Sequence, residues 1–283
     1  MFSYLLIAVV IVLTTTQTAL TRQYERKAKD ADCFLYGGIT ALAAFFFFWL
    51  QNGFALHGEG TLLLYSLGFG LSFAASYVGI FVALKNGPLS LTTLIISYSL
   101  LVPTVYGLVW LNESLSMFSY IGLAALFVSF PLAYLEKGKP TINLKWVGGA
   151  LLAFVGNGMC STVQKMQQVA FDGAYKADFM MCALLMSFTL LLIGAVLRNH
   201  LHWKDICAAL PWGTAAGMAN GMVNLLVMTL SATVANAILF PSVAAGGLVL
   251  GFAVAVVFYK ERHTYIQIAG YVLGTIAVVL LNL

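Results

Sequence analysis

Residues 85–135 read KNGPLSLTTLIISYSLLVPTVYGLVWLNESLSMFSYIGLAALFVSFPLAYL, two apolar runs joined at the short polar break Asn112-Glu113-Ser114. The layout returns at residues 231–283, where SATVANAILFPSVAAGGLVLGFAVAVVFY reaches Lys260-Glu261-Arg262 and continues as HTYIQIAGYVLGTIAVVLLNL. Setting Glu113 against Glu261 gives an offset of 261 − 113 = 148, which also places Gly122 on Gly270, Ser72 on Asn220 and Ser76 on Asn224. Matching hydropathy, a shared glutamate and paired small polar residues point to one membrane unit used twice.

Composition agrees with that reading. The chain of 283 residues is 61% hydrophobic and 8% charged, with mean hydropathy +0.93, against roughly 25% charged residues in a soluble domain. Apolar runs near the ~20 residues that cross a bilayer fall at 2–21, 33–53, 61–84, 88–110, 115–135, 145–166, 177–197, 208–230, 233–258 and 264–283. The expected fold is an all-α membrane protein of about ten transmembrane helices in two inverted five-helix repeats, 1–140 and 141–283. The runs are continuous rather than alternating, which excludes a β-barrel. The opening MFSYLLIAVVIVL lacks the cationic start of a signal peptide and reads as a retained first helix.

Charge sets an orientation and narrows the chemistry. Twelve of the 14 Lys and Arg residues lie in the odd-numbered connections, with Lys165 and Lys176 assigned to the connection between the sixth and seventh spans. The positive-inside rule then puts both termini outside. All ten carboxylates fall in connections or at helix ends, and no histidine falls at mid-membrane depth. The usual carriers of a proton relay and of acid–base catalysis are therefore not expected in the membrane, and no enzyme activity is assigned. Cys33, Cys160, Cys182 and Cys207 have no metal-ligand or disulfide spacing and read as small apolar residues, so neither metal nor cofactor is expected.

The candidate site is built from polar residues inside the apolar runs. Gln17 follows a threonine-rich stretch, Thr14 to Thr16; threonines bond back to their own helix, whereas a glutamine amide has to face protein or a wet cavity. Ser72 with Ser76, and Asn220 with Asn224, are each four apart and share a helix face. Such pairs serve either helix packing or a cavity lining. The sixth span carries Asn157, Ser161, Thr162, Gln164 and Lys165, of which Asn157 joins the candidate set and Lys165 is expected to snorkel to the interface. Pro103 and Pro241 with Gly246, Gly247 and Gly251 mark either bending elements or close packing.

The run from Gly87 to Ser129, with Glu113 after its first helix, resembles the helix 4 to helix 5 segment of EamA-like members of the drug/metabolite transporter superfamily. Length and repeat extend the resemblance over nearly the whole chain. It implies ten helices around a central cavity lined by helices 1, 3, 4, 6, 8 and 9, and it leaves the substrate open. Three features depart from the pattern: no acidic residue stands among Thr14 to Thr18, the Trp-Gly pair frequent in the first helix is missing, and the basic connections are placed for outside termini where many relatives place them for cytoplasmic ones. The first departure argues against proton-coupled export of organic cations. Glu113 and Glu261 read as caps for the helix that follows each.

The functional expectation is a secondary transporter that moves a small neutral or zwitterionic metabolite by alternating access. Its substrate-binding residues would be Gln17, Ser72, Ser76, Asn157, Asn220 and Asn224. The expected partners are the small-molecule substrate and the lipid bilayer of a bacterial inner (plasma) membrane, with no nucleic acid, and the chain is expected as a monomer or homodimer. A membrane-embedded enzyme, a lipid-handling protein and a passive channel are the alternatives.

Overall fold

The computed structural model describes residues 2–28, 32–53, 60–86, 95–96, 98–99, 101–114, 116–134, 143–198, 202–257 and 264–281. Ten helices form from them: α1 Phe2–Lys27, α2 Cys33–Gln51, α3 Leu62–Asn86, α4 Leu101–Trp110, α5 Met117–Tyr134, α6 Leu144–Ala170, α7 Lys176–Leu197, α8 Trp203–Ser231, α9 Asn236–Val257 and α10 Tyr265–Leu281. No strand occurs among the described residues. Five of the helices are long and apolar enough to cross a membrane: α1 over Ser3–Thr21, α2, α3 over Leu62–Ala83, α6 and α7. Large apolar side chains such as Leu64, Trp110, Leu152, Ile193 and Val272 point outward, the surface a lipid solvent calls for rather than water.

Helix ends differ from the sequence reading where a local contact decides them. The first helix runs past residue 21 to Lys27 because Tyr24 is buried and stacks on Tyr36 of α2, ring centroids 4.7 Å apart. The charged connection shrinks accordingly, and Asp32 closes it by accepting the Leu35 N–H at 2.8 Å as the α2 N-cap. Asn143 caps α6 in the same way, accepting from Trp146 N at 2.7 Å.

Helix neighbours recur in pairs. Helix α3 packs on α6 and α7, and α8 packs on α1 and α2; α1 meets α9 while α4 meets α6; α2 faces α7, α4 faces α9 and α5 faces α10. Adding or subtracting five from each helix number maps these neighbours onto one another. The α3–α6 seam is the tightest. A Cβ on Gly149 would lie 2.7 Å from Ala83 N, one on Gly156 2.6 Å from Ser76 N, and one on Gly79 would strike Ala153 N. Backbone therefore meets backbone, as small residues permit between apolar helices.

Pro103 sits in the first turn of α4, and its ring nitrogen has no proton for the Ser99 carbonyl four residues back. That carbonyl accepts from Val102 N at 3.1 Å in a tighter turn. A Cβ on Gly158 would lie 2.8 Å from the same oxygen, so α6 crosses α4 at this break. Pro241 lies inside α9, and Gly246 presses on Ile11 of α1. The close-packing reading has a direct contact behind it at Gly246, while nothing lies within 4 Å of a Cβ on Gly247.

Candidate functional site

A chain of buried amides joins α6 to α8. Gln164 Nε2 donates to Asn224 Oδ1 at 2.6 Å, and Asn224 Nδ2 donates to both the backbone O and the Oδ1 of Asn220 at 2.8 Å. Gln164 is 3% exposed and the two asparagines 9% each. A helical register sets this up: Asn220 and Asn224 are one turn apart on one face of α8, and Gln164 projects from α6 towards Asn224. Primary amides each carry donors and acceptors, so in an apolar bundle they satisfy one another at little net cost.

Around this chain the expected site residues separate. Gln17 lies on α1 and donates through Nε2 to the Tyr77 hydroxyl of α3 at 3.2 Å. Asn157 donates through Nδ2 to Ser99 Oγ at 2.6 Å, which ties α6 to the broken start of α4. Ser72 and Ser76 lie on the α3–α6 seam against Gly156, and Ser72 Oγ returns to its own helix at Gly68 O, 2.7 Å away. The backbone of both serines meets α6 at Gly156, and Ser76 is buried. Thr14, Thr15, Thr16, Thr18 and Thr21 also bond back to carbonyls four residues earlier at 2.8–3.0 Å, the local role expected of them.

The offset of 148 does not describe the contacts of α3 and α8. Tyr77 and Asn224 each accept an amide N–H from a glutamine sixty residues earlier, and 224 − 77 is 147. Gly70 on α3 presses on α7, Gly217 on α8 presses on α2, and they too are 147 apart. One residue of register turns a helix by about 100°. It matches Asn220 and Asn224 with Phe73 and Tyr77, whose ring centroids lie 4.7 Å apart with the planes tilted by 31°, rather than with Ser72 and Ser76. Glu261 lies outside the described residues.

A second buried cluster closes the bundle at the end where α4, α6 and α8 finish. Lys165 Nζ donates to Ser231 O at 2.7 Å and lies 3.6 Å from Glu113 Oε1, both side chains little exposed. Glu113 Oε2 accepts the Ala237 N–H at 3.1 Å. The Glu113 carboxylate therefore caps α9, not α5, whose first turn is held by Ser116 Oγ accepting from Ser119 N at 3.0 Å. Nor does Lys165 snorkel outward: its ammonium turns inward to a carbonyl and a carboxylate. Gln167 and Gln168 extend the polar stretch of α6, Gln167 Nε2 donating to Ala174 O at 2.9 Å and Gln168 Nε2 to Gln167 Oε1.

Sequence reasoning left Gln164, Lys165 and Glu113 out of the site. Gln164 carried the same signal as Gln17, an amide in an apolar run, and lay next to residues already singled out. What decided its role was its partner on α8, which helical period alone does not reveal.

No family model matches the chain, and no curated protein matches it. By structure, 28 solved chains match. One of them, a crystal structure, superposes with a TM-score of 0.78 at 16% sequence identity, over 99% of this chain and 98% of its own. A likeness at that identity speaks for the fold alone.

Proposed function

We propose that the chain is a ten-span secondary transporter of the EamA-like drug/metabolite type, with two inverted five-helix repeats, moving a small neutral or zwitterionic metabolite by alternating access. The observation that carries this reading is the Gln164–Asn224–Asn220 chain, a polar thread between α6 and α8 inside a bundle whose outer face is apolar. Intramembrane polar residues of this kind mark solute paths. The paired helix neighbours support the repeat, since inverted repeats place the equivalent helices around one axis with the solute near the midplane. Apolar helices of spanning length support the membrane.

The purified chain in proteoliposomes should take up one member of a labelled panel of neutral and zwitterionic metabolites, and Asn220→Ala should weaken that uptake about two- to tenfold, the equivalent of one uncharged hydrogen bond. Uptake indifferent to Asn220→Ala would place the solute path elsewhere.

A further inference from the structure

The bonds made by Lys165 and Glu113 cross a divide in the bundle. Helices α3 and α4 meet α6, whereas α8 and α9 meet α1, which gives two sets of three that face each other where α4 lies against α9. Each set has ties of its own. In the first, Asn157 Nδ2 holds Ser99 Oγ at 2.6 Å, and the Glu113 N–H donates to Gly107 O at 3.1 Å, which fixes Glu113 to the end of α4. In the second, Ile7 and Val10 of α1 share a buried apolar cluster with Leu230 of α8 and with Leu239 and Val243 of α9. Lys165 and Glu113 belong to the first set and both reach into the second. The ammonium goes to Ser231 O at the end of α8, 2.7 Å away, and the carboxylate takes the Ala237 N–H at the start of α9, 3.1 Å away.

The first half of the chain does not repeat this arrangement. The register that matches Gln17 with Gln164, 164 − 17 = 147, matches Thr18 with Lys165. Thr18 is exposed, carries no charge, and turns its Oγ1 back to Thr14 O at 3.0 Å. A contact present in only one of two alternating states favours that state by its own free energy. A buried ion pair also suits a contact that has to part. The hydration that both groups lose on burial offsets much of their attraction, and water admitted on opening restores it.

We propose that Lys165 and Glu113 form a one-sided lock, which holds the end of the bundle where α4, α6 and α8 finish shut and sets the resting state of the chain. Opening that end breaks the two crossing bonds and leaves the 3.6 Å pair on the α4–α6 side. The opposite end has Thr18 in place of the lysine and opens first. The assignment rests on the transporter reading, and it adds which end is closed at rest and by which groups.

The test is pulsed electron spin resonance on the purified full chain in lipid nanodiscs, with the four native cysteines replaced by alanine and spin labels placed in pairs. Val169 and Ala232 are exposed near the ends of α6 and α8, and Leu144 and Trp203 are exposed at their starts. In the parent, the Val169/Ala232 pair should give one short distance. Lys165→Met should add a longer one, raising the ratio of open to closed by about tenfold or more, the equivalent of one hydrogen bond to a charged group. The Leu144/Trp203 distance should shorten in the same fraction of molecules. Lys165→Arg should keep the parent pattern. Glu113→Gln keeps an oxygen for the Ala237 N–H and loses the charge, so it should move both distances in the same sense as Lys165→Met, and it serves where that variant does not fold. A pair that only stabilises the fold would leave the distances alone or loosen both ends together. Unchanged distances in Lys165→Met and Glu113→Gln, or lengthening at both ends, would each overturn the lock. Distances that shift as expected in a chain that carries no solute remove the transporter reading alone; uptake by a parent chain whose variants show unmoved distances removes the lock alone.

Discussion

Asn220 and Asn224 sit one turn apart and look interchangeable in the sequence, yet their surroundings differ. Asn224 makes three hydrogen bonds, to Gln164 and twice to Asn220, whereas Asn220 enters the chain through its two oxygens. Truncating Asn224 leaves the Gln164 amide buried without its acceptor, so Asn224→Ala should destabilise by about 1–3 kcal/mol. Among the described residues Ser72 bonds only within its own helix, so Ser72→Ala should stay within about 0.5 kcal/mol of the parent. Thermal denaturation of the two purified variants checks the difference, and equal losses would mean that the α6–α8 chain is no more structural than a helix-surface hydroxyl. At this scale the asparagine pair was legible, because two amides in an apolar run stand out. Its register was not: offsets of 148 and 147 fit the hydropathy equally, and only the neighbours distinguish Ser76 from Tyr77 as the match of Asn224.

The all-helical class and the approximate extent of most elements were legible because long apolar runs leave little freedom, and this agrees with the described residues; of the run 88–110, residues 101–110 form α4 and 88–94 lie outside the described residues. Ends were less so. Nothing local in Arg22 to Lys27 announces that Tyr24 will stack on Tyr36 and draw α1 onward, since that partner arrives from another helix. The seams carry their own prediction. Gly79 has α6 backbone where a side chain would go, whereas nothing lies within 4 Å of a Cβ on Gly148. Gly79→Leu should abolish folded protein after solubilisation, and Gly148→Leu should leave it intact, read by size-exclusion profile and melting temperature. Overpacking by extra methylenes typically costs about 1–3 kcal/mol, and here the obstacle is main chain that has nowhere to move. Two equally stable variants would show that α3 and α6 do not approach as described.

Across the whole molecule, the Lys165 ammonium, the Glu113 carboxylate, Ser231 O and Ala237 N gather α6, the α4–α5 connection, α8 and α9 at one end of the bundle. The glutamate of the repeat was visible in the sequence as a helix cap, but the helix it caps is distant in the chain, and no spacing rule points from Glu113 to Ala237. Breaking a buried pair by removing one partner costs about 3–5 kcal/mol. Lys165→Met should therefore lower stability by an amount near the lower figure, since Glu113 keeps the Ala237 N–H, and Lys165→Arg should restore most of it. A Lys165→Met protein as stable as the parent would show the pair to be incidental. The account as a whole stands on transport. Its most direct test is uptake of a labelled panel of neutral and zwitterionic metabolites into proteoliposomes, with a solute gradient and with an imposed pH gradient, for the parent chain and Asn220→Ala. Because the sequence pattern assigns every carboxylate to a connection or a helix end, uptake should follow the solute gradient or exchange, respond little to pH, and fall in Asn220→Ala. Accumulation driven by the proton gradient alone, or no uptake of any solute by correctly folded protein, would contradict it.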